Sequence, residues 1–238
     1  MDMSTLTWTV FALLVIAIAI AALNFLGNRT KKDTFLLLGL SDSGKTLLFL
    51  KLRHGSSVNV QTHTSMKENE GQFIINDNGT PLTKNPTHVV DVPGHEKLRF
   101  KFSDFIPITR GIIFVIDSST CAKNSRQIAE YLYDIFSHKK VKNIPMLIAC
   151  NMSDMITALP PERIRTILEN EINRLRVTRT AGLDHQDSVE DVEFLGYESE
   201  DFKFEHLENE VVFEKCSVKE GEINVIKEWI VDAFQGGK

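Results

Sequence analysis

Apolar side chains along the chain fall into short runs separated by stretches with the spacing of amphipathic helices. The runs cover residues 34–38, 73–75, 88–92, 111–117, 145–150 and 211–216. Their lengths and polar boundaries are typical of buried strands. Between them, apolar residues recur every three to four positions over 129–136, 160–175 and 223–233. This alternation predicts an α/β fold with a mostly parallel six-stranded sheet and helices on both faces.

A longer apolar stretch precedes this pattern. Residues 8–26 are broken only by Thr9 and Asn24, and at 1.5 Å per residue this length spans a hydrocarbon core of about 30 Å. The basic residues Arg29, Lys31 and Lys32 follow it, which favours a cytosolic location for that flank. We therefore expect one N-terminal transmembrane helix and contact with the lipid bilayer.

A cleaved signal peptide is the alternative for this stretch, because Ala19-Ile20-Ala21 resembles a cleavage site. The residues before the apolar stretch contain Asp2 and no basic side chain, which favours an uncleaved signal anchor. The predicted organisation is a short lumenal N-terminus at 1–7, a transmembrane anchor at 8–26, a linker at 27–33 and a cytosolic domain at 34–238.

Charge is unevenly distributed over the chain. The net charge is −5, which does not favour a nucleic-acid partner. Residues 184–210 hold 11 acidic side chains and one lysine. The simplest interpretation of the surrounding polar stretch, 178–210, is a solvated and mobile acidic insertion. The three cysteines are odd in number and scattered, as is typical of free thiols in a reducing compartment.

A glycine-rich loop follows the first apolar run. Residues 39–46 read Gly-Leu-Ser-Asp-Ser-Gly-Lys-Thr, between a predicted strand and a helix that begins near Leu47. Backbone amides and a helix N-terminus converge on phosphate oxygens in such a turn. Lys45 is placed to reach the β- and γ-phosphates, and the Thr46 hydroxyl to bind Mg²⁺. The candidate nucleotide-binding residues of this loop are Gly39, Leu40, Ser41, Asp42, Ser43, Gly44, Lys45, Thr46 and Leu47.

Residues at the ends of the later predicted strands are candidates to bind Mg²⁺, the γ-phosphate and the base of a nucleotide. Asp91 ends an apolar run and is a candidate to hold Mg²⁺ through water, with the Gly94 amide near the γ-phosphate. After another run come Asn151, Met152 and Asp154, where the carboxylate at 154 selects guanine over adenine, since adenine leaves it unpaired. Ser217, Val218 and Lys219 follow the final run and are candidates to present backbone amides to guanine O6.

In this order the motifs resemble the small GTPase superfamily over residues 34–235. The resemblance implies GTP/GDP and Mg²⁺ as ligands. It also implies that Thr64, in the switch I loop (residues 61–65), completes the Mg²⁺ ligands when γ-phosphate is present, with Thr62 as the alternative. By the same resemblance His95 is a catalytic residue that orients the attacking water. The alternative for His95 is a surface histidine without a chemical role.

The chain departs from the superfamily pattern at several positions. Met152 replaces the lysine that stacks on guanine, Val218 replaces an alanine, and Ser41 stands where fast GTPases keep glycine. No arginine lies just before Thr64 to act as a finger. Intrinsic turnover without one is on the order of 10⁻⁴ to 10⁻³ s⁻¹. The sequence therefore predicts a GTP-binding protein with slow GTPase activity and does not decide whether it works as an enzyme.

Finer features resemble the family of signal recognition particle receptor beta subunits. They are the N-terminal anchor, the loop Gly-Leu-x-Asp-Ser-Gly-Lys-Thr, the threonine-rich switch I loop and Asp-x-Pro-Gly-His-Glu. The resemblance implies a subunit in the endoplasmic reticulum membrane that tethers the receptor alpha subunit, in a GTP-dependent way, for co-translational protein targeting. An Arf/Sar-like vesicle-trafficking GTPase and a pseudo-GTPase scaffold are the alternatives, and Asp154 argues against an ATPase.

Overall fold

The structure is a computed structural model that describes Leu13 and residues 32–58, 60–77, 79–183 and 194–235. The chain divides into two units, Met1–Lys32 and Asp33–Lys238, and all described residues except Leu13 and Lys32 belong to the second. The predicted N-terminus, the anchor apart from Leu13, and most of the linker lie outside the described residues. Within the described part of the chain, no helix is long and apolar enough to cross a membrane.

The second unit is built on a six-stranded sheet, as the apolar runs predict. Its strands are β1 (Thr34–Leu38), β2 (Asn69–Phe73), β5 (Thr87–Asp91), β6 (Thr109–Asp117), β7 (Met146–Asn151) and β8 (Val211–Lys215). The order across the sheet is β2-β5-β1-β6-β7-β8. All neighbours are parallel except β2 and β5, which are antiparallel. The sheet is therefore mostly parallel, as predicted, but mixed at one edge.

The antiparallel edge strand differs from its predicted position. The apolar run at 73–75 predicts the strand there, whereas β2 ends at Phe73 and a small hairpin follows, formed by β3 (Asn76–Asp77) and β4 (Thr80–Pro81). An edge strand with one partner is only half-buried, so β2 needs no continuous apolar run. Ile75 is buried instead in the core beside the sheet, in the cluster that contains Phe35 and Leu37, and its backbone N–H donates to Thr83 Oγ1 at 3.1 Å.

Helices cover both faces of the sheet. They are α1 (Lys45–His54), α2 (Phe102–Phe105, between short 3₁₀ turns), α3 (Cys121–Phe136), α4 (Pro161–Leu183) and α5 (Asn224–Gln235). Side chains alternate along β1, so that Leu36 and Leu38 face the core with α3 and α4, while Phe35 and Leu37 face the core with α1 and α5. The strands β1, β5, β7 and β8, which carry candidate residues at their carboxyl ends, all run in the same direction, so these ends lie at the same end of the sheet.

The acidic segment is the main departure from the sequence prediction. Helix α4 continues to Leu183, beyond the predicted end at 175, and residues 194–210 pack against the domain. Leu195, Phe202 and Phe204 are buried in the core on the α3–α4 side. The Arg176 guanidinium donates to the carbonyls of Leu195, Tyr197 and Glu200. The prediction of a solvated insertion is wrong for these described residues, because their few apolar side chains complete the core.

Candidate functional site

The loop of residues 39–46, the phosphate loop, connects β1 to α1 through a path that requires glycine. At Gly39 φ is +136°, and a Cβ there would lie 2.2 Å from the Val115 carbonyl oxygen. Gly94 also approaches the loop closely, and a Cβ there would lie 2.5 Å from the Ser41 nitrogen. Both contacts are with backbone atoms, which have little freedom to move. The loop and the residues after β5 therefore lie against each other, as the sequence predicts.

Lys45 is buried at the start of α1, immediately after Gly44. Its ammonium group donates to the Leu40 carbonyl at 2.6 Å, across the mouth of the phosphate loop. Burial lowers the Lys45 pKa to about 8, an effect that Asp91 and Asp42 partly oppose. A buried cation next to a ring of backbone groups is well suited to phosphate, because an anion would restore the solvation that burial removes.

The two residues predicted to hold Mg²⁺ meet although they are distant in sequence. The Thr46 hydroxyl donates to Asp91 Oδ2 at 2.7 Å. Asp91 Oδ1 is buried and has no hydrogen-bond partner among the described residues, and the same holds for Ser43 Oγ in the phosphate loop. Burial raises the Asp91 pKa, while hydrogen bonds from Asn69 and Thr46 lower it. An unpartnered buried carboxylate oxygen beside a hydroxyl is a suitable environment for a hydrated divalent cation.

The switch I loop covers this site. Thr62, His63, Thr64 and Ser65 line a pocket together with the phosphate loop and residues 91–94. Thr64 donates to Asp42 Oδ1 at 3.2 Å, and Ser65 Oγ lies 3.3 Å from Thr46 Oγ1. Thr64 is thus near the phosphate loop, but the switch I hydroxyl in contact with Thr46 is that of Ser65. A metal-binding role for Thr64 stays a prediction.

The predicted base-binding residues come together at the ends of β7 and β8. Asn151 donates from Nδ2 to the Ser43 carbonyl at 2.8 Å and accepts from the Val218 backbone N–H at 2.9 Å. This buried amide joins the phosphate loop to the loop after β8. Asp154 is exposed and accepts a 2.6 Å hydrogen bond from the buried Ser217 hydroxyl. Met152 has φ of 60° and is partly buried beside them.

The loop that carries Lys219 is supported from α1. Lys51 is 4% exposed, and its ammonium group donates to the carbonyls of Ser56 and Lys219 at 2.9 Å each. The Lys219 side chain itself is exposed. The role predicted for this loop depends on backbone groups, and Lys51 is the side chain that holds one of them in place.

The surroundings of His95 indicate a chemical role less clearly than those of Lys45 and Asp91. The residue is exposed, and its Nδ1 accepts from the Lys97 backbone N–H at 3.3 Å, so that the ring caps the 3₁₀ helix Glu96–Lys101. Arg99 from the same turn donates to the Gly94 carbonyl at 3.3 Å. The catalytic role of His95 stays a prediction.

Sequence reasoning missed one side chain at the metal end of the site. Asn69, the first residue of β2, donates to Asp91 Oδ2 at 2.9 Å and to Ser65 Oγ at 3.3 Å. Asn69 lies in a polar stretch without a motif, so its only sequence signal was its place at the start of a strand. Its position opposite Asp91 follows from the antiparallel register of β2 and β5.

A phosphate loop after the first strand, on a parallel sheet extended by one antiparallel edge strand, is the architecture of the small GTPases, and the chain has the GTPase fold. Comparison with known proteins narrows this class. The family model described as signal recognition particle receptor beta subunit matches residues 30–211. A mouse protein named signal recognition particle receptor subunit beta is 36% identical over 223 residues, which cover 91% of this chain and 80% of that protein. The chain belongs to the family of signal recognition particle receptor beta subunits, within the Arf/Sar-like group.

Solved structures agree with this assignment. The structure entitled "The Structure of the Mammalian SRP Receptor" matches with a TM-score of 0.71 and 33% identity, covering 84% of this chain and 99% of that one. A complex of SRb-GTP with SRX from Chaetomium thermophilum matches with a TM-score of 0.69 and 26% identity, over 85% and 99% of the two chains. The SRb-GDP-Mg structure from the same organism matches at 0.64 and 26%, over 87% and 99%.

Proposed function

We propose that this chain is the GTP-binding beta subunit of a signal recognition particle receptor and binds the receptor alpha subunit in a GTP-dependent way. The observation that carries the proposal is the meeting of Lys45, Thr46 and Asp91 at one end of the site with Asp154 at the other. The related structures contain GTP, GDP with Mg, and SRX, and the family membership extends the same ligands and partner to this chain.

Each residue of the site has a specific task in this function. Lys45 and the amides of the phosphate loop bind the phosphates, Thr46 and Asp91 hold Mg²⁺, and Asp154 accepts from the guanine ring. A bound Mg²⁺ supplies positive charge that neutralises the β- and γ-phosphate oxygens. Asn151 fixes the phosphate loop and the loop after β8 relative to each other, because its side-chain amide bonds to both.

The nucleotide state controls partner binding through the switch I loop. This loop lines the same pocket as the phosphate loop, and Thr64 and Ser65 contact Asp42 and Thr46 within it. A γ-phosphate changes the partners available to these hydroxyls, so the outer surface of the loop differs between the GTP and GDP states.

Affinity measurement with purified alpha subunit tests this function. Full-length protein in detergent is loaded with GDP or a non-hydrolysable GTP analogue, and we expect alpha-subunit affinity to be roughly 5–150-fold lower with GDP. Thr46→Asn abolishes the difference, because it removes the hydroxyl that bonds to Asp91. The control is Thr166→Asn, an exposed threonine on α4. Equal affinity in both nucleotide states would refute nucleotide gating.

The membrane anchor at 8–26 is part of the same proposal. The apolar stretch and the basic residues after it support a single-pass protein of the endoplasmic reticulum membrane, with the GTPase domain from residue 34 on the cytosolic side. Alkaline carbonate extraction of membranes tests it. We expect the full-length chain to stay in the pellet and a variant with Ile16→Lys and Ile18→Lys to be released. Recovery of the wild-type chain in the supernatant would rule out a spanning segment.

A second candidate function is a GTP-binding tether that does not hydrolyse GTP. The capping position of the exposed His95 ring favours it, since the ring accepts from Lys97 N. Single-turnover hydrolysis of radiolabelled GTP, with and without alpha subunit, distinguishes the two candidates. A rate that rises with alpha subunit and falls in His95→Ala supports the catalytic role of His95.

A further inference from the structure

Four side chains at the metal end of the site form a closed cycle of polar contacts. Thr46 Oγ1 and Asn69 Nδ2 both contact Asp91 Oδ2, at 2.7 and 2.9 Å. Ser65 Oγ closes the cycle, at 3.3 Å from Asn69 Nδ2 and 3.3 Å from Thr46 Oγ1. The cycle therefore connects the phosphate loop, the switch I loop, β2 and β5.

The two oxygens of the Asp91 carboxylate have different surroundings in this cycle. Oδ2 accepts two hydrogen bonds, from a hydroxyl and from an amide, whereas Oδ1 has no partner among the described residues. Asp91 is 1% exposed, so Oδ1 is a buried acceptor to which no described protein group donates. Fixing Oδ2 with two donors determines the direction in which Oδ1 points.

Strand pairing holds Asn69 in a fixed position relative to Asp91, so that it can orient the carboxylate. It is the first residue of β2, and its backbone lies directly opposite Asp91 in the β2–β5 register. The register limits the movement of the two Cα atoms relative to each other. The amide also reaches back to Ser65, so the same side chain joins the carboxylate to the switch I loop.

We propose that Asn69 is a positioning residue of the magnesium site, which orients the Asp91 carboxylate and joins it to the switch I loop through Ser65. This inference rests on the proposed function, since it assumes that Mg²⁺ binds with a guanine nucleotide. Groups that orient a metal ligand typically change metal affinity by roughly 10–100-fold when they are removed.

The test measures the Mg²⁺ dependence of nucleotide release. Full-length protein in detergent is loaded with a fluorescent GDP analogue, and its release rate is recorded over a range of Mg²⁺ concentrations and in EDTA. For Asn69→Ala we expect the Mg²⁺ concentration that half-maximally slows release to rise by roughly 10–100-fold. Release in EDTA should match the wild type, because Asn69 has no role once the metal is removed.

The matched control is Gln72→Ala, an exposed position in the same strand. If Asn69→Ala shifts the Mg²⁺ requirement no more than Gln72→Ala, or speeds release equally in EDTA, Asn69 only supports the fold of the pocket and the inference is overturned. If Asn69→Ala does not fold, Asn69→Ser carries the same expectation, because its hydroxyl is too short to span the 2.9 Å contact. If GDP release from the wild-type chain does not depend on Mg²⁺, the proposed function is overturned as well. The wild-type measurement therefore distinguishes a failure of the proposed function from a failure of the inference about Asn69.

Discussion

The Ser217 hydroxyl donates a 2.6 Å hydrogen bond to Asp154 Oδ1, across 63 residues of sequence. Ser217 is completely buried in the loop after β8, whereas Asp154 is exposed in the loop after β7. A fixed buried donor thus orients an exposed carboxylate. One oxygen is held by Ser217, and this determines the direction that the other presents to a bound base.

We expect Asp154→Asn to exchange guanine for xanthine specificity. In the proposed function the carboxylate accepts from two guanine donors, and hydrogen bonds to charged groups contribute about 1.5–3 kcal/mol each, so GDP affinity should fall by at least roughly tenfold. The amide instead donates to the 2-oxo group of xanthine. Competition between GDP and XDP for a fluorescent nucleotide measures both effects. The control is Glu220→Gln, an exposed acidic residue in the loop after Ser217, which should leave the preference for GDP unchanged.

Substitution of two glycines with positive φ allows the cost of backbone strain to be measured apart from the cost of a steric clash. Gly55, after α1, has φ of +102° with open space around its Cβ position, so Gly55→Ala should cost about 1–3 kcal/mol. Gly39→Ala adds a 2.2 Å clash with the Val115 carbonyl oxygen, and should reduce the free energy of unfolding by clearly more. Urea unfolding of the nucleotide-free proteins measures both. Equal losses would mean that the phosphate loop relaxes away from β6.

The pH dependence of stability should reveal the buried ammonium group of Lys45. Its pKa is lowered to about 8 in the folded protein, while the unfolded value is about 10.4. Between these values the unfolded chain binds more protons, so Lys45 makes the nucleotide-free protein more stable as pH rises. From pH 7 to 9.5 the contribution is about 2 kcal/mol.

Buried thiols make the protein less stable as pH rises, because burial raises the pKa of Cys121 to about 11 and of Cys216 to about 12. The comparison is therefore made against Lys45→Met, which keeps the thiols. The free energy of unfolding of the wild type minus that of the variant should increase over this pH range. The difference for Lys123→Met, an exposed lysine on α3, should stay constant. A constant difference for Lys45→Met as well would show that Lys45 is not desolvated.

Phe204 tests whether the described part of the acidic segment belongs to the core. Its ring is 1% exposed and packs against Phe136, Phe202 and Phe213, with centroids 5.1 to 6.2 Å apart. Phe204→Ala should reduce the free energy of unfolding by about 3–5 kcal/mol. Glu198→Ala, at an exposed position of the same segment, should change it by less than about 0.5 kcal/mol. Similarly small effects of the two substitutions would support the sequence prediction of a solvated insertion instead.

Features that depend on neighbouring residues were predictable from the sequence. The phosphate loop needs only a buried strand, glycines at two turns and a following helix, all within 34–54. The parallel strands are short apolar runs because both of their faces are buried, and Met146–Asn151 shows this with every residue buried. Burial of that kind leaves a direct signal in the order of apolar side chains.

Features that join distant parts of the chain had no such signal. Asn69 meets Asp91 through strand register, and Ser65 rather than Thr64 contacts Thr46 because of the path of the switch I loop. Phe202 and Phe204 are two apolar residues in an acidic stretch, and their burial depends on partners such as Phe136 and Phe213 from other elements. Local spacing therefore identified the elements and the ends that carry the chemistry. The packing of elements decided which side chains meet there, because hydrogen bonds and buried contacts depend on distances in space rather than along the chain.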